Sequence, residues 1–131
     1  MDIAIDFDNT LTIGQNFPET GLPRMWLIER AKQWKADGHR LILWTCREDV
    51  YAEELTCFPP RLYLTEAVQF CLQYGLEFDA VNCGITEAQH PEMQFSRKIF
   101  ADLYIDDKSV SFNDGFETFQ FNSVTACGNI L

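Results

Sequence analysis

Ile3, Ala4 and Ile5 run without a polar break into Asp6, and Asp8 follows one residue beyond Phe7. A short continuous apolar run of this kind reads as a strand buried on both faces, spanning residues 2–6. The next apolar positions are spaced differently. Leu27, Ala31 and Trp34 recur at helical intervals between Pro23 and Gly38, which predicts a helix opening near that proline and capped by that glycine. The run LILWT predicts a second strand at 40–45. Beyond a loop with Pro59 and Pro60, Thr65 serves as N-cap of a second helix, Val68, Cys71 and Leu72 form its stripe, and Gly75 ends it. Residues 78–82 predict a third strand and 102–106 a fourth. Phe119 and Phe121, alternating with Thr118 and Gln120, predict a fifth at the sheet edge. Residues 11–22 and 83–95 read as loops, and Ser96 as the cap of a short helix holding Lys98. Strands alternating with helices predict an α/β fold with a parallel sheet covered on both sides. No internal repeat or low-complexity segment interrupts it.

The strand ends carry the chemistry. Asp6 and Asp8 repel each other unless a cation lies between them. Mg²⁺, a hard cation that takes oxygen ligands and is often shared with a phosphate, is the natural partner. A second acidic pair, Asp106 and Asp107, ends the run Leu103, Tyr104 and Ile105. Neighbouring parallel strands would bring both pairs to the carboxyl end of one sheet, where open α/β folds place their ligands. Four carboxylates around one pocket require metal. Thr45 ends the second strand and Lys98 lies eight residues before Asp106; a hydroxyl and an ammonium complete a cradle for phosphate.

Taken in order, these residues resemble the four motifs of the haloacid dehalogenase-like (HAD) superfamily of aspartate-nucleophile phosphotransferases. Asp6, Asp8 and Thr10 match its DxDx[TV] motif, Thr45 its second-motif hydroxyl, Lys98 its third-motif lysine, and Asp106 with Asp107 its acidic fourth motif. The stretches RLILWTCRE and FSRKIFADLYIDDKS are similar to small bacterial HAD-like hydrolases. The chain departs from the pattern in having Asn9 where glycine is common and no glycine before the fourth-motif pair. The resemblance implies a three-layer α/β/α sandwich with a Rossmann-like parallel sheet, in a single domain spanning 1–131 with minimal or no cap. It implies a Mg²⁺-dependent phosphatase that hydrolyses a phosphomonoester through an aspartyl phosphate on Asp6. In that scheme Asp8 is the acid and base, with its backbone carbonyl on the metal. Thr45 and Lys98 hold the phosphoryl oxygens, Asp106 ligates the metal, and Asp107 reaches it through water or orients Lys98.

Composition narrows the function classes. A chain of 131 residues is long enough to bury roughly two thirds of its unfolded surface, and 47% hydrophobic content with 11 Phe supplies a core. A net charge of −10 disfavours nucleic-acid backbones and anionic membranes, which need clustered Lys and Arg. The five cysteines, odd in number and without metal-binding spacing, read as reduced thiols. No secretion signal opens the chain and no run of about 18 apolar residues occurs, so a cytoplasmic location is expected. The expected partner is a small phosphorylated metabolite. With almost no cap the site should be open, or closed by a second copy in a homo-oligomer.

Each residue has a plainer role to weigh. Asp8 alone is a turn or cap residue, and Asp106 with Asp107 alone begins a surface loop. The Thr10 hydroxyl suits a bond back to the strand-end turn. Arg47 suits either bidentate recognition of a substrate oxyanion or pairing with Glu48 or Asp49. His39 and His90 read as surface residues, and Trp26 and Trp34 as helix packing. Three other functions compete. A dehalogenase would lack the second acid Asp8, and a two-component receiver would lack the acidic pair after the lysine. The third, a catalytically weak HAD-like binding or regulatory protein, would retain the motifs without turnover.

Overall fold

The structure, a computed structural model, describes residues 1–52, 58–93 and 98–122. In chain order it begins with β1 (Asp2–Ile5), a wide turn over Phe7–Leu11, and the short strands β2 (Thr12–Ile13) and β3 (Leu22–Pro23). Helix α1 (Met25–Ala36), β4 (Arg40–Leu43), β5 (Asp49–Val50), β6 (Arg61–Leu62) and α2 (Tyr63–Gln73) follow. The rest is β7 (Ala80–Val81), α3 (Ile85–Gln89), β8 (Leu103–Ile105), β9 (Val110–Asn113) and β10 (Thr118–Phe121).

Four strands pair in parallel in the order β7-β4-β1-β8. The chain builds outward from β1 to β4 and β7, then returns across β1 to lay down β8. In register, Ile5 of β1 lies between Leu43 and Ile105. The strands are short and apolar because side chains of successive residues enter opposite faces, and both faces are dry. Ile3, Ile5, Leu41, Leu43 and Ile105 pack with Leu27, Ile28 and Ala31 of α1 and Ala67, Phe70 and Cys71 of α2. The alternate residues Ala4, Ile42 and Ala80 pack with Ile85 of α3, Ile99 and Ala101. This is an α/β fold around a parallel sheet, as the alternating pattern predicts.

Several boundaries differ from the sequence reading. Helix α2 begins at Tyr63, so Thr65 lies inside its first turn rather than at the N-cap. Its amide and hydroxyl both donate to Asp49, so a carboxylate from a distant strand satisfies this helix start. The buried stripe of α2 is Tyr63, Ala67, Phe70 and Cys71; Leu72 points outward at 48% exposure. Residues 83–95, read as loop, contain α3. The edge strand does not join the main sheet: β10 pairs with β9 in a separate antiparallel ribbon. Its Phe119 packs edge-on against Trp34 of α1. Ser96 lies outside the described residues. The stop of α1 is as predicted, with Gly38 at φ +98 just past the helix, a conformation that costs glycine little.

Candidate active site

Asp6 sits where β1 leaves the sheet. Its amide donates to Ile105 O of β8 at 2.9 Å, so the first residue past β1 is stapled to the last residue of the returning strand. Its carboxylate Oδ1 accepts from the next amide, Phe7 N, at 2.7 Å. The turn then folds tightly enough that Asn9 takes φ 56, ψ 23, a left-handed conformation that Asn tolerates better than most residues. Glycine is therefore not required here, which accounts for the departure from the motif. The Asn9 side chain works as well. Its Oδ1 accepts from Gly14 N at 3.2 Å and its Nδ2 donates to Asp107 Oδ2 at 3.1 Å.

The hydroxyl expected to close this turn, Thr10, does not do so. Thr10 is buried and its Oγ1 has no hydrogen-bond partner among the described residues. Thr12 performs that role: its Oγ1 accepts from Asn9 N and donates to Phe7 O.

Asp106 follows β8, and its Oδ1 accepts from Lys108 N and Ser109 N, which fixes the carboxylate against its own loop. The surroundings act together on Asp6. Burial, opposed by the Phe7 amide and reinforced by the carboxylates of Asp107, Asp8 and Asp106, pushes the Asp6 carboxyl from its ordinary 3.8 up to about 7. These are the four acidic residues that the sequence reading gathered, and their fields meet at Asp6.

Arg47 is paired, but with neither of the two neighbouring acids weighed for it. It is buried, and its fork donates to both oxygens of Asp8 at 2.8 Å. The other donors reach Pro18 O, Tyr63 O and Glu19 O. Its five N–H bonds are thus all placed on protein oxygens, so it has none to offer a substrate oxyanion while this pair stands. Glu48 and Asp49 are not its partners.

Thr45 lies two residues beyond β4. Its amide donates to Asn82 Oδ1 at 2.8 Å, and its Oγ1 accepts from Arg47 N at 3.2 Å. Asn82, at φ 53 just past β7, also donates from Nδ2 to Arg47 O. The sequence reading marked Asn9 only as a departure from the motif and missed Asn82. The one available signal was their type, since Asn is a turn former that bonds neighbouring backbone. Lys98 is exposed and lines a cavity with Asp2, Gly84, Ile85 and Glu87.

Among the described residues no three His, Cys, Asp or Glu side chains are arranged to hold a metal ion. The donor chemistry nevertheless fits a hard cation: Asp6, Asp106 and Asp107 offer carboxylate oxygens, and Asp6 lies in excess negative charge. Cys46, Cys71 and Cys83 are free, and burial pushes the Cys71 thiol up to about 12. Among the described residues no helix is long and apolar enough to cross a membrane.

Fold and site together define an α/β protein in which Asp6, at the carboxyl end of a central parallel strand, lies in the field of Asp8, Asp106 and Asp107 where the chain order reverses across β1. No protein-family model matches the chain, and no curated protein does. It is similar to the conserved protein coded by a locus from Bacteroides thetaiotaomicron, whose solved structure superposes with a TM-score of 0.69 at 35% identity, over 88% of this chain and 84% of that one. The chain belongs to the family of that protein.

Proposed function

We propose that the chain is a Mg²⁺-dependent phosphomonoester hydrolase of the HAD-like kind, built as a three-layer α/β/α sandwich and acting through an aspartyl phosphate on Asp6. The observation that carries this reading is the position of Asp6, at the end of a central strand where the sheet order reverses, within the field of three further carboxylates. Mg²⁺-dependent hydrolysis of para-nitrophenyl phosphate tests it.

Asp6, Asp106, Asp107 and the backbone carbonyl of Asp8 would hold the ion. When bound, it would neutralise the charge on nucleophile and phosphoryl group. Asp6 then forms a bond to phosphorus as the bond to the alcohol oxygen breaks. Thr45 and the amides after Asp6 and Thr45 bind phosphoryl oxygens, the Phe7 amide leaving Asp6 Oδ1 to do so, and Lys98 would add a positive charge. Asp8 gives a proton to the departing oxygen and later takes one from the water that cleaves the aspartyl phosphate. To trade a proton it must release one of its two bonds to Arg47. That bidentate pair favours a second reading, a catalytically weak binding or regulatory protein whose Asp8 stays locked. Substantial turnover of any phosphomonoester at saturating Mg²⁺ rules the second reading out.

Two expectations follow from these roles. Adding Mg²⁺ to protein stripped with EDTA should stabilise the folded state by preferential binding, by about 2.7 kcal/mol at 100 times Kd, and so raise Tm. Asp106→Ala should remove the rise, and superimposable melts with and without Mg²⁺ in the wild type would remove the metal from the scheme. Asp8→Asn should slow hydrolysis by roughly 10²–10⁴-fold while Mg²⁺ still stabilises the variant. Its first step should suffer less with para-nitrophenyl phosphate than with an alkyl phosphate, because a good leaving group needs little protonation. Equal slowing of both in single-turnover kinetics would make Asp8 a structural residue only.

A further inference from the structure

A cavity of about 510 Å³ opens beside Asp8, a size ordinary for a small-molecule site. Phe17, Phe58 and Tyr63 line it and touch one another, with ring centroids 5.3 to 6.0 Å apart. Val50 adds apolar surface. Phe17 and Phe58 are each nearly half exposed, at 44% and 45%.

Three of the four charged groups in the wall, Asp8, Arg47 and Asp49, are already engaged. Arg47 spends all five donors on protein oxygens, two of them on Asp8. Asp49 accepts from the amide and hydroxyl of Thr65. Counting Asp8, Glu48 and Asp49 against Arg47, the lining carries an excess of two negative charges. An anionic group would be repelled there, and a polyol would find few open hydrogen-bond partners. An aromatic ring would find three others to pack on.

We infer that this cavity receives the alcohol portion of the phosphoester and selects an aromatic group that carries no negative charge. The inference rests on the reading of Asp8 as proton donor to the departing oxygen. If Asp8 protonates that oxygen, the rest of the alcohol lies on the side of Asp8, and the cavity that Asp8 lines is the space it enters.

Turnover at saturating Mg²⁺ should be compared for 2-phenylethyl phosphate, butyl phosphate, glycerol phosphate, phosphocholine and a phosphorylated hydroxy acid. All are alkyl esters, which limits differences in leaving-group basicity. The kcat/KM for 2-phenylethyl phosphate should exceed those for glycerol phosphate and phosphocholine by at least about tenfold, and the anionic ester should be the poorest. Phe58→Ala should cut the preference ratio by about that factor, and Phe17→Ala gives a second test of the same wall. Parity across the series, a preference for phosphocholine, or an unchanged ratio in both variants overturns the inference. A binding arm separates its failure from failure of the hydrolase reading. The alcohol 2-phenylethanol should shift the ring resonances of Phe17 and Tyr63, and the shifts should weaken in Phe58→Ala even if no ester is hydrolysed. Absence of those shifts, with the esters turned over at equal rates, discards the cavity assignment and leaves the hydrolase standing.

Discussion

Asp6→Asn should abolish phosphoester hydrolysis and, in EDTA, leave the protein more stable at pH 8 than the wild type. The first effect follows from the proposed nucleophile: an amide cannot attack phosphorus at a useful rate. The second follows from burial. An acid whose folded pKa is raised contributes stability below its unfolded value and loses it as pH rises through the folded one. For Asp6 the window runs from 3.8 to about 7. At about 1.4 kcal/mol per unit the wild type forfeits about 4 kcal/mol across it. Asn keeps an oxygen for the Phe7 amide and carries no charge, so its stability should stay flat through that window. Urea unfolding at pH 4, 6 and 8 measures the difference, and parallel pH profiles would mean that Asp6 is not crowded as described. Full activity in a folded Asp6→Asn protein would end the aspartyl-phosphate scheme.

Arg47→Met should destabilise the protein by about 3 kcal/mol, the low end of the cost of breaking a buried ion pair, because Asp8 keeps 27% of its side chain exposed to water. Met replaces the buried volume, so the loss isolates the polar role. Four oxygen-bearing residues, Asp8, Pro18, Glu19 and Tyr63, lose their donor at once. Arg47→Lys should recover little, because one ammonium cannot reach the positions that the planar fork spans. Combining Arg47→Met with Asp8→Asn should cost less than the two separate losses added, since neither charge is then left alone. Strict additivity in urea unfolding, or a loss below about 1 kcal/mol for Arg47→Met, would show that the pair contributes little.

The parts of this molecule that could be read from the chain are those encoded locally. Apolar runs place β1, β4, β7 and β8, and Gly38 and Gly75 mark the ends of α1 and α2, because each signal lies within a few residues of its effect. Asp6, Thr45 and Asp106 could be placed at strand ends for the same reason. The ladders β2–β3 and β5–β6 are two residues long on each side, too short for any alternation to register. Helix α3 spans only five residues, little more than one turn. The pairing of Arg47 with Asp8 joins positions 39 apart, and a nearby acid such as Glu48 looks equally eligible in one dimension. Asn9 and Asn82 act by bonding across loops, so composition alone marks them as turn residues without naming their partners.

The return of the chain across β1 has a bearing on how the protein reaches its final form. Asp106 follows Asp6 by 100 positions, and contacts so far apart in sequence carry the larger loop-closure entropy. Of the four central strands, β8 is the last in the chain and the one that sets Asp106 and Asp107 against Asp6. The first three can pair while the Asp6 carboxylate is still solvated. Most of the like-charge crowding on Asp6 therefore arises with the docking of β8, and under the proposed scheme a cation bound there would favour the closing of the sheet itself. The final strand pairing and the charge state of Asp6 are coupled through one local cluster of carboxylates.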